Sequence, residues 1–240
     1  MSRRTQLTRP SSWHQFTVLF GRDIKQELHT RDMLSAMAVY ALLVLVIFGA
    51  ALAQSSSSFD ILEISGGLFW ALIVFTSLLG LNRSFNAEKE EGGIEGMLLI
   101  PMDRSLIFLA KAASNLVFLL IVELIAAPLF YFFFLTASTP ASSLWLVCFP
   151  LLAGSIGIAG VGTLLATITS QARGRDVLLA ILFIPLVFPL LYAVVSATSI
   201  ALTGGPEFAT VYLPSLALAF GYDVIMVSVS WLLYDYLITS

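Results

Sequence analysis

Charge is what this sequence has least of. Only 11% of its 240 residues are Asp, Glu, Lys or Arg, where a soluble domain carries about a quarter. Hydrophobic residues make up 58% and the mean hydropathy is +0.94, so the expected solvent is a bilayer. Cysteine occurs once, at Cys148. That excludes an internal disulfide and any multi-cysteine zinc or haem-attachment motif, and Cys148 reads as a small packing residue. Histidine occurs twice, at His14 and His29, outside the apolar runs and at no useful metal spacing, so no metal site is expected. No G-x-x-x-x-G-K-[ST] run is present, which excludes ATP binding through a P-loop. No Ser/His/Asp or Cys/His set falls inside one compartment, so the chain is not expected to be an enzyme. The formal net charge of −3 gives no support for nucleic acid as a partner.

The few charges present are sorted. All twelve Lys and Arg residues lie in three stretches: the N-terminus through Arg31, Arg83–Lys111 and Arg173–Arg175. A bilayer core about 30 Å thick needs roughly 20 apolar helical residues. Six segments qualify: Leu34–Ala53, Ile64–Leu81, Leu106–Leu135, Leu144–Thr169, Val177–Ile200 and Val211–Ile238. The basic stretches fill the N-terminus and the second and fourth connectors. The first, third and fifth connectors have none and hold Asp60, Glu63 and Glu207. By the positive-inside rule, both termini are cytoplasmic. The first apolar run begins near Met33, too late for the usual cleavable signal peptide, and an uncleaved first helix is expected. The chain thus divides into a cytoplasmic tail with an interfacial helix over 1–32 and a six-helix transmembrane domain over 33–240.

Within the tail, Trp13, Phe16, Phe20, Ile24 and Leu28 recur at three-to-four spacing and share one helical face. Arg22, Lys25, Gln26 and His29 lie elsewhere on the wheel, and Ser11 or Ser12 is a candidate cap. This predicts a helix in the cytoplasmic interface with its aromatics toward membrane lipid and its bases toward headgroups.

Several spans carry irregular features. The third is long and holds Pro128 followed by Phe130–Phe134; it should tilt, kink or protrude, with the aromatics anchoring the outer interface. The fifth holds Pro185 and Pro189, which predict a bend or break. After Pro189, the polar and glycine interruptions up to Gly205 leave room for a re-entrant element. The run from Gly154 to Gly162 in the fourth span supplies the small residues of a close helix–helix contact. Glu123 and Asp223 fall inside spans, where a charge costs at least ~2.5–3.5 kcal/mol; such groups face the bundle interior, pair with something or are protonated, and each is read either as a hydrogen bond to another helix or as functional. Lys111 and Asp235 lie near enough to the cytoplasmic boundary to snorkel.

The connector 82–105 is the densest polar feature. Glu88, Glu91 and Glu95 would share one acidic face if helical, Gly92-Gly93 would interrupt that helix, and Met97–Ile100 is an apolar stub ended by Pro101. A loop this long exceeds what connection needs, and such loops tend to be functional.

The run Leu81–Pro101 resembles the first cytoplasmic loop of the haem exporter B family (CcmB), membrane subunits of the cytochrome c maturation ABC transporter. The residues that carry the likeness are Arg83, Phe85, the acidic stretch Glu88–Glu91, Gly92 or Gly93, Glu95 and Leu98-Leu99-Ile100-Pro101. The start of the third span, Ser105–Lys111, and the proline pair of the fifth, Ile184–Leu191, are similar as well. The resemblance implies an all-α, six-span permease of the ABC-2 type in the bacterial inner membrane. It implies no cofactor bound by this chain, haem as a candidate substrate of the complex, and ATP in a partner subunit. The partners it implies are a haem exporter A-like cytoplasmic ATPase, a haem-handling C subunit, a small D subunit and a second copy of this chain. The 82–105 loop would couple the ATPase to the membrane. Two other readings fit the same sequence: an ABC-2 permease for a lipid, drug or polysaccharide, and a scaffold that passes no substrate but holds an ATPase against a haem-delivery protein.

Overall fold

A computed structural model describes residues 11–53, 61–90, 104–135, 144–170, 172, 174–203 and 208–237. Among these residues there are seven long helices and no strand. They are α1 (Ser12–Thr30), α2 (Asp32–Ala53), α3 (Ile61–Glu90), α4 (Arg104–Phe130), α5 (Leu144–Thr169), α6 (Arg175–Thr203) and α7 (Tyr212–Leu237). The last six are each long and apolar enough to cross a bilayer. An even number of spans returns the chain to the side on which α1 lies.

Local chemistry sets the helix ends. The Ser11 hydroxyl accepts the His14 N–H at the start of α1, satisfying one of the donors that a helix start leaves open. At its other end Arg31 adopts a left-handed conformation, φ 57°, and its N–H donates to the Glu27 carbonyl at 2.7 Å. The Glu27 carboxylate accepts the Leu34 N–H at 2.7 Å. One acidic residue thus caps the N-terminus of α2 from the preceding helix, and α1 turns directly into the first span.

The prolines bend expectation more than they break helices. α4 passes Pro128 and then widens into a π-type turn over Tyr131–Leu135, one way to absorb a missing backbone donor. α6 continues unbroken through Pro185 and Pro189 to Thr203. Of the bend or break expected there, the break does not form, and Ser196, Thr198 and Ser199 lie inside the helix rather than in a re-entrant turn. Pro189 removes the N–H that would serve the Pro185 carbonyl. The adjacent Leu186 carbonyl accepts the Tyr222 hydroxyl of α7 at 2.7 Å, so a neighbouring helix supplies a donor at the weakened turn.

α5 stands at the centre, packed on α3, α4, α6 and α7. In its spanning window 72% of residues are buried, against 17% in α7; α5 is therefore the hub and α7 is mostly a lipid-facing or partner-facing helix. Small residues make the hub possible. A Cβ added at Gly154 would collide with the Trp70 ring of α3, at Gly157 with Asp223 of α7 and Leu190 of α6, and at Gly162 with Leu81 of α3. The main apolar core runs from Met37 through Trp70, Phe130, Ile158 and Leu190. A second cluster at the cytoplasmic end joins Leu19, Ile107, Phe108, Leu164 and Tyr234.

Candidate functional site

On the cytoplasmic side, α3 does not stop at Leu81. It runs on to Glu90, so Arg83, Phe85 and Glu88 stand on one continuous helix with the second span. Arg83 is exposed. Glu91, Gly92, Glu95 and Pro101 lie outside the described residues, as do the side chains of Phe85 and Glu88. The chain is described again from Arg104, where α4 begins.

α1 docks on that start of α4. Leu19 is buried against Ile107 and Phe108, with Phe16 and Phe20 packed at the edge. Trp13, Phe16 and Phe20 stack successively at 5.8 and 5.9 Å. The aromatic face expected to lie in lipid is therefore shared: Phe16 and Phe20 cover the bundle, while Trp13 and Leu28 stay exposed. Lys111 does not snorkel. It is buried, and its Nζ lies 3.6 Å from Asp23 Oδ2 of α1.

Inside the membrane, Glu123 faces α5 and is buried. Both its carboxyl oxygens lie 2.7–2.8 Å from the Ser155 Oγ, which is also 2.7 Å from the Leu151 carbonyl. A hydroxyl has one hydrogen, so it serves one of these acceptors at a time. Deeper toward the cytoplasm, Asn115 Nδ2 donates to Thr163 Oγ1 at 2.9 Å. Asn115 and Glu123 are eight residues apart on α4, as are Ser155 and Thr163 on α5. The two bonds thus form rungs of one antiparallel seam. Asp223 is equally buried but faces Gly157, and neither of its oxygens has a hydrogen-bond partner among the described residues. Ser230, two turns along α7, is also buried without one. The Trp70 indole N–H donates to Thr198 Oγ1 at 2.9 Å, tying α3 to α6.

A cleft of about 780 Å³ opens between α4, the π-type turn, α5 and α6. Its wall is almost wholly apolar, from Phe69, Ile121, Leu124, Phe132 and Leu151, with Glu123, Tyr131, Cys148 and Thr198 as the few polar contributors. The volume lies in the range of small-molecule sites. The aromatics of 130–134 split across it. Phe130 and Phe134 point inward and touch at 4.9 Å, while Phe132 and Phe133 are exposed.

Sequence reasoning found Glu123 and Asp223 but missed Ser155, Thr163, Asn115 and the Asp23–Lys111 pair. The matched eight-residue spacings were the available signal for the seam. The same residues 14–231 that build this bundle match the family model described as CcmB protein. The chain belongs to the CcmB family. A relative, "Heme exporter protein B" of Pseudomonas aeruginosa, is 27% identical over 192 residues, covering 80% of this chain and 84% of the relative. The CcmB chain described here is accordingly a multi-pass protein of the bacterial inner membrane. The family match includes the hub helix α5 and both intramembrane acids, and it stops within α7 at Trp231.

Proposed function

We propose that this chain is the membrane permease subunit of an ABC transporter complex that exports or delivers haem for cytochrome c maturation. The observation that carries this reading is the family match across nearly the whole chain, with a relative named for haem export. The chain performs no catalysis; ATP is hydrolysed by a separate, haem exporter A-like subunit beneath it. The 82–105 connector receives the motion. Closure of the ATPase dimer displaces Glu88, Glu91 and Glu95, and α3 transmits the displacement because the connector begins as its uninterrupted continuation. The complex includes a second copy of this chain, the haem-handling C subunit and the small D subunit. Exposed apolar faces on α2 and α7, such as Val39, Val46, Val224 and Leu232, provide surface for lipid and for those contacts.

The transported species is haem, as substrate rather than resident cofactor. The apolar cleft beside Glu123 supports this reading by its size and its opening between helices. A second reading, a scaffold that passes no haem, is favoured by one observation: neither histidine lies in a span, so no imidazole is available there to hold iron. Two experiments separate the possibilities. Reversing the charges at Glu88, Glu91 and Glu95 should abolish co-purification of the ATPase or its transport-linked activity; wild-type behaviour would sink the coupling role. Haem density against this chain in a purified complex supports passage, and density confined to a partner supports the scaffold.

A further inference from the structure

The contact that joins α1 to the bundle contains an ion pair with no part in the function as described above. Lys111 Nζ and Asp23 Oδ2 are 3.6 Å apart, and both side chains are about nine-tenths shielded, at 9% and 10% exposure. The other Asp23 oxygen accepts from Arg22 at 2.9 Å. Buried ion pairs are a poor source of stability, because desolvation offsets their attraction and apolar packing serves as well. Adhesion is already supplied by Leu19 against Ile107 and Phe108. What a charge pair adds is direction.

At about 100° per residue, α1 presents three sectors. Gln15, Leu19 and Asp23 face the bundle. Trp13, Phe20 and Leu28 lie on an apolar sector, and Lys25 and His29 on a basic one. A rotation by one residue would bring Arg22 or Ile24 toward Lys111, the first repelled and the second unable to pair. The other acid of α1, Glu27, is committed to the N-terminus of α2. Asp23 is thus the acid of the bundle-facing sector, and it meets its cation two turns beyond Arg104, where the 82–105 connector ends.

We propose that Asp23 and Lys111 are positioning residues that fix the rotation of α1 on α4, so that α1 moves together with the end of the coupling connector. This rests on the ATPase-driven reading given above. The test uses the full complex in proteoliposomes, with Cys148→Ser and spin labels at Lys25→Cys and Ala113→Cys. The unaltered pair should give one narrow distance. Asp23→Asn and Lys111→Met should each broaden it and lower substrate-stimulated ATPase turnover by about fivefold or more, the low end of coupling between two sites, with KM for ATP unchanged. Asp23→Glu, and the exchange Asp23→Lys with Lys111→Asp, should restore both readouts. Single variants as narrow as wild type, an Asp23→Glu variant as broad as Asp23→Asn, or a restored distance without restored turnover would each overturn the proposal. A chain that binds no ATPase overturns the functional reading instead, and the spin-label distances then still decide the pair.

Discussion

The face of α5 toward α4 carries Ser155 and Thr163, each within bonding distance of a polar side chain across the seam, whereas the face toward α7 carries Gly157, over an Asp223 carboxylate that has no partner among the described residues, and Gly160, over Val227. The first seam selects one register, because a slip of a single residue separates both rungs at once. The second selects only closeness. Its glycines let α7 approach, and on that helix Asp223 and Ser230 have no hydrogen-bond partner among the described residues. Hydrogen bonds between helices in a bilayer average only ~0.6 kcal/mol, so the difference lies more in specificity than in strength. α4 and α5 are thus locked in register, and α7 is held against α5 by close fit at its glycines.

The comparison can be broken most forcefully at the glycines. Gly154→Ala drives a methyl into the rigid Trp70 ring, and overpacking of this kind costs about 1–3 kcal/mol. Gly157→Ala meets Asp223 and Leu190 instead; its loss, read as a fall in unfolding temperature of the purified protein, should be partly recovered by adding Asp223→Ala. No recovery would mean that Asp223 does not fill that space. Next in size is Ser155→Ala, which leaves buried Glu123 without its partner and should cost up to ~1.7 kcal/mol, the upper end for such bonds. Thr163→Val removes the other rung, and a denaturant titration should register about 0.6 kcal/mol. The smallest effect has the opposite sign. Asp223→Asn breaks no hydrogen bond to any described residue and removes the possibility of an unpaired charge, so stability should be unchanged or slightly higher. If it fell as far as in Ser155→Ala, the two seams would not differ in the way described.

Most of the fold was legible because hydropathy and charge sorting act on long segments. Leu144–Thr169 matches its expected span at both ends, and the others lie within a few residues of theirs except at the cytoplasmic end of α3, which overruns Leu81 to Glu90. What was not legible depends on which helices become neighbours. Lys111 read as a snorkelling residue because its position along the span is visible in sequence and its partner on α1 is not. Pro185 and Pro189 read as a bend or break, and local rules cannot see the Tyr222 hydroxyl arriving from α7 at the adjacent Leu186 carbonyl. Glu123 and Asp223 looked alike in sequence, each a lone acid in an apolar run, and only packing against Ser155 in one case and Gly157 in the other sets them apart.

The length of α3 has a mechanical consequence. Near the cytoplasmic surface it is pinned on two sides, by Met37 against Gly80 and by Leu81 against Gly162. From that fulcrum the arm reaching toward Glu90 is about 14 Å long and the arm reaching back to Ile61 about 29 Å, at 1.5 Å per residue. The long arm is held along its length, by Trp70 against Gly154 of α5 and by Trp70 on Thr198 and Gly66 on Ser199 of α6. A push on the short arm would therefore bear on α5 and α6 through those contacts before it reached the far end of α3. The protruding turns of this helix are continuous with a rod that the bundle grips at four glycines, Gly66, Gly80, Gly154 and Gly162.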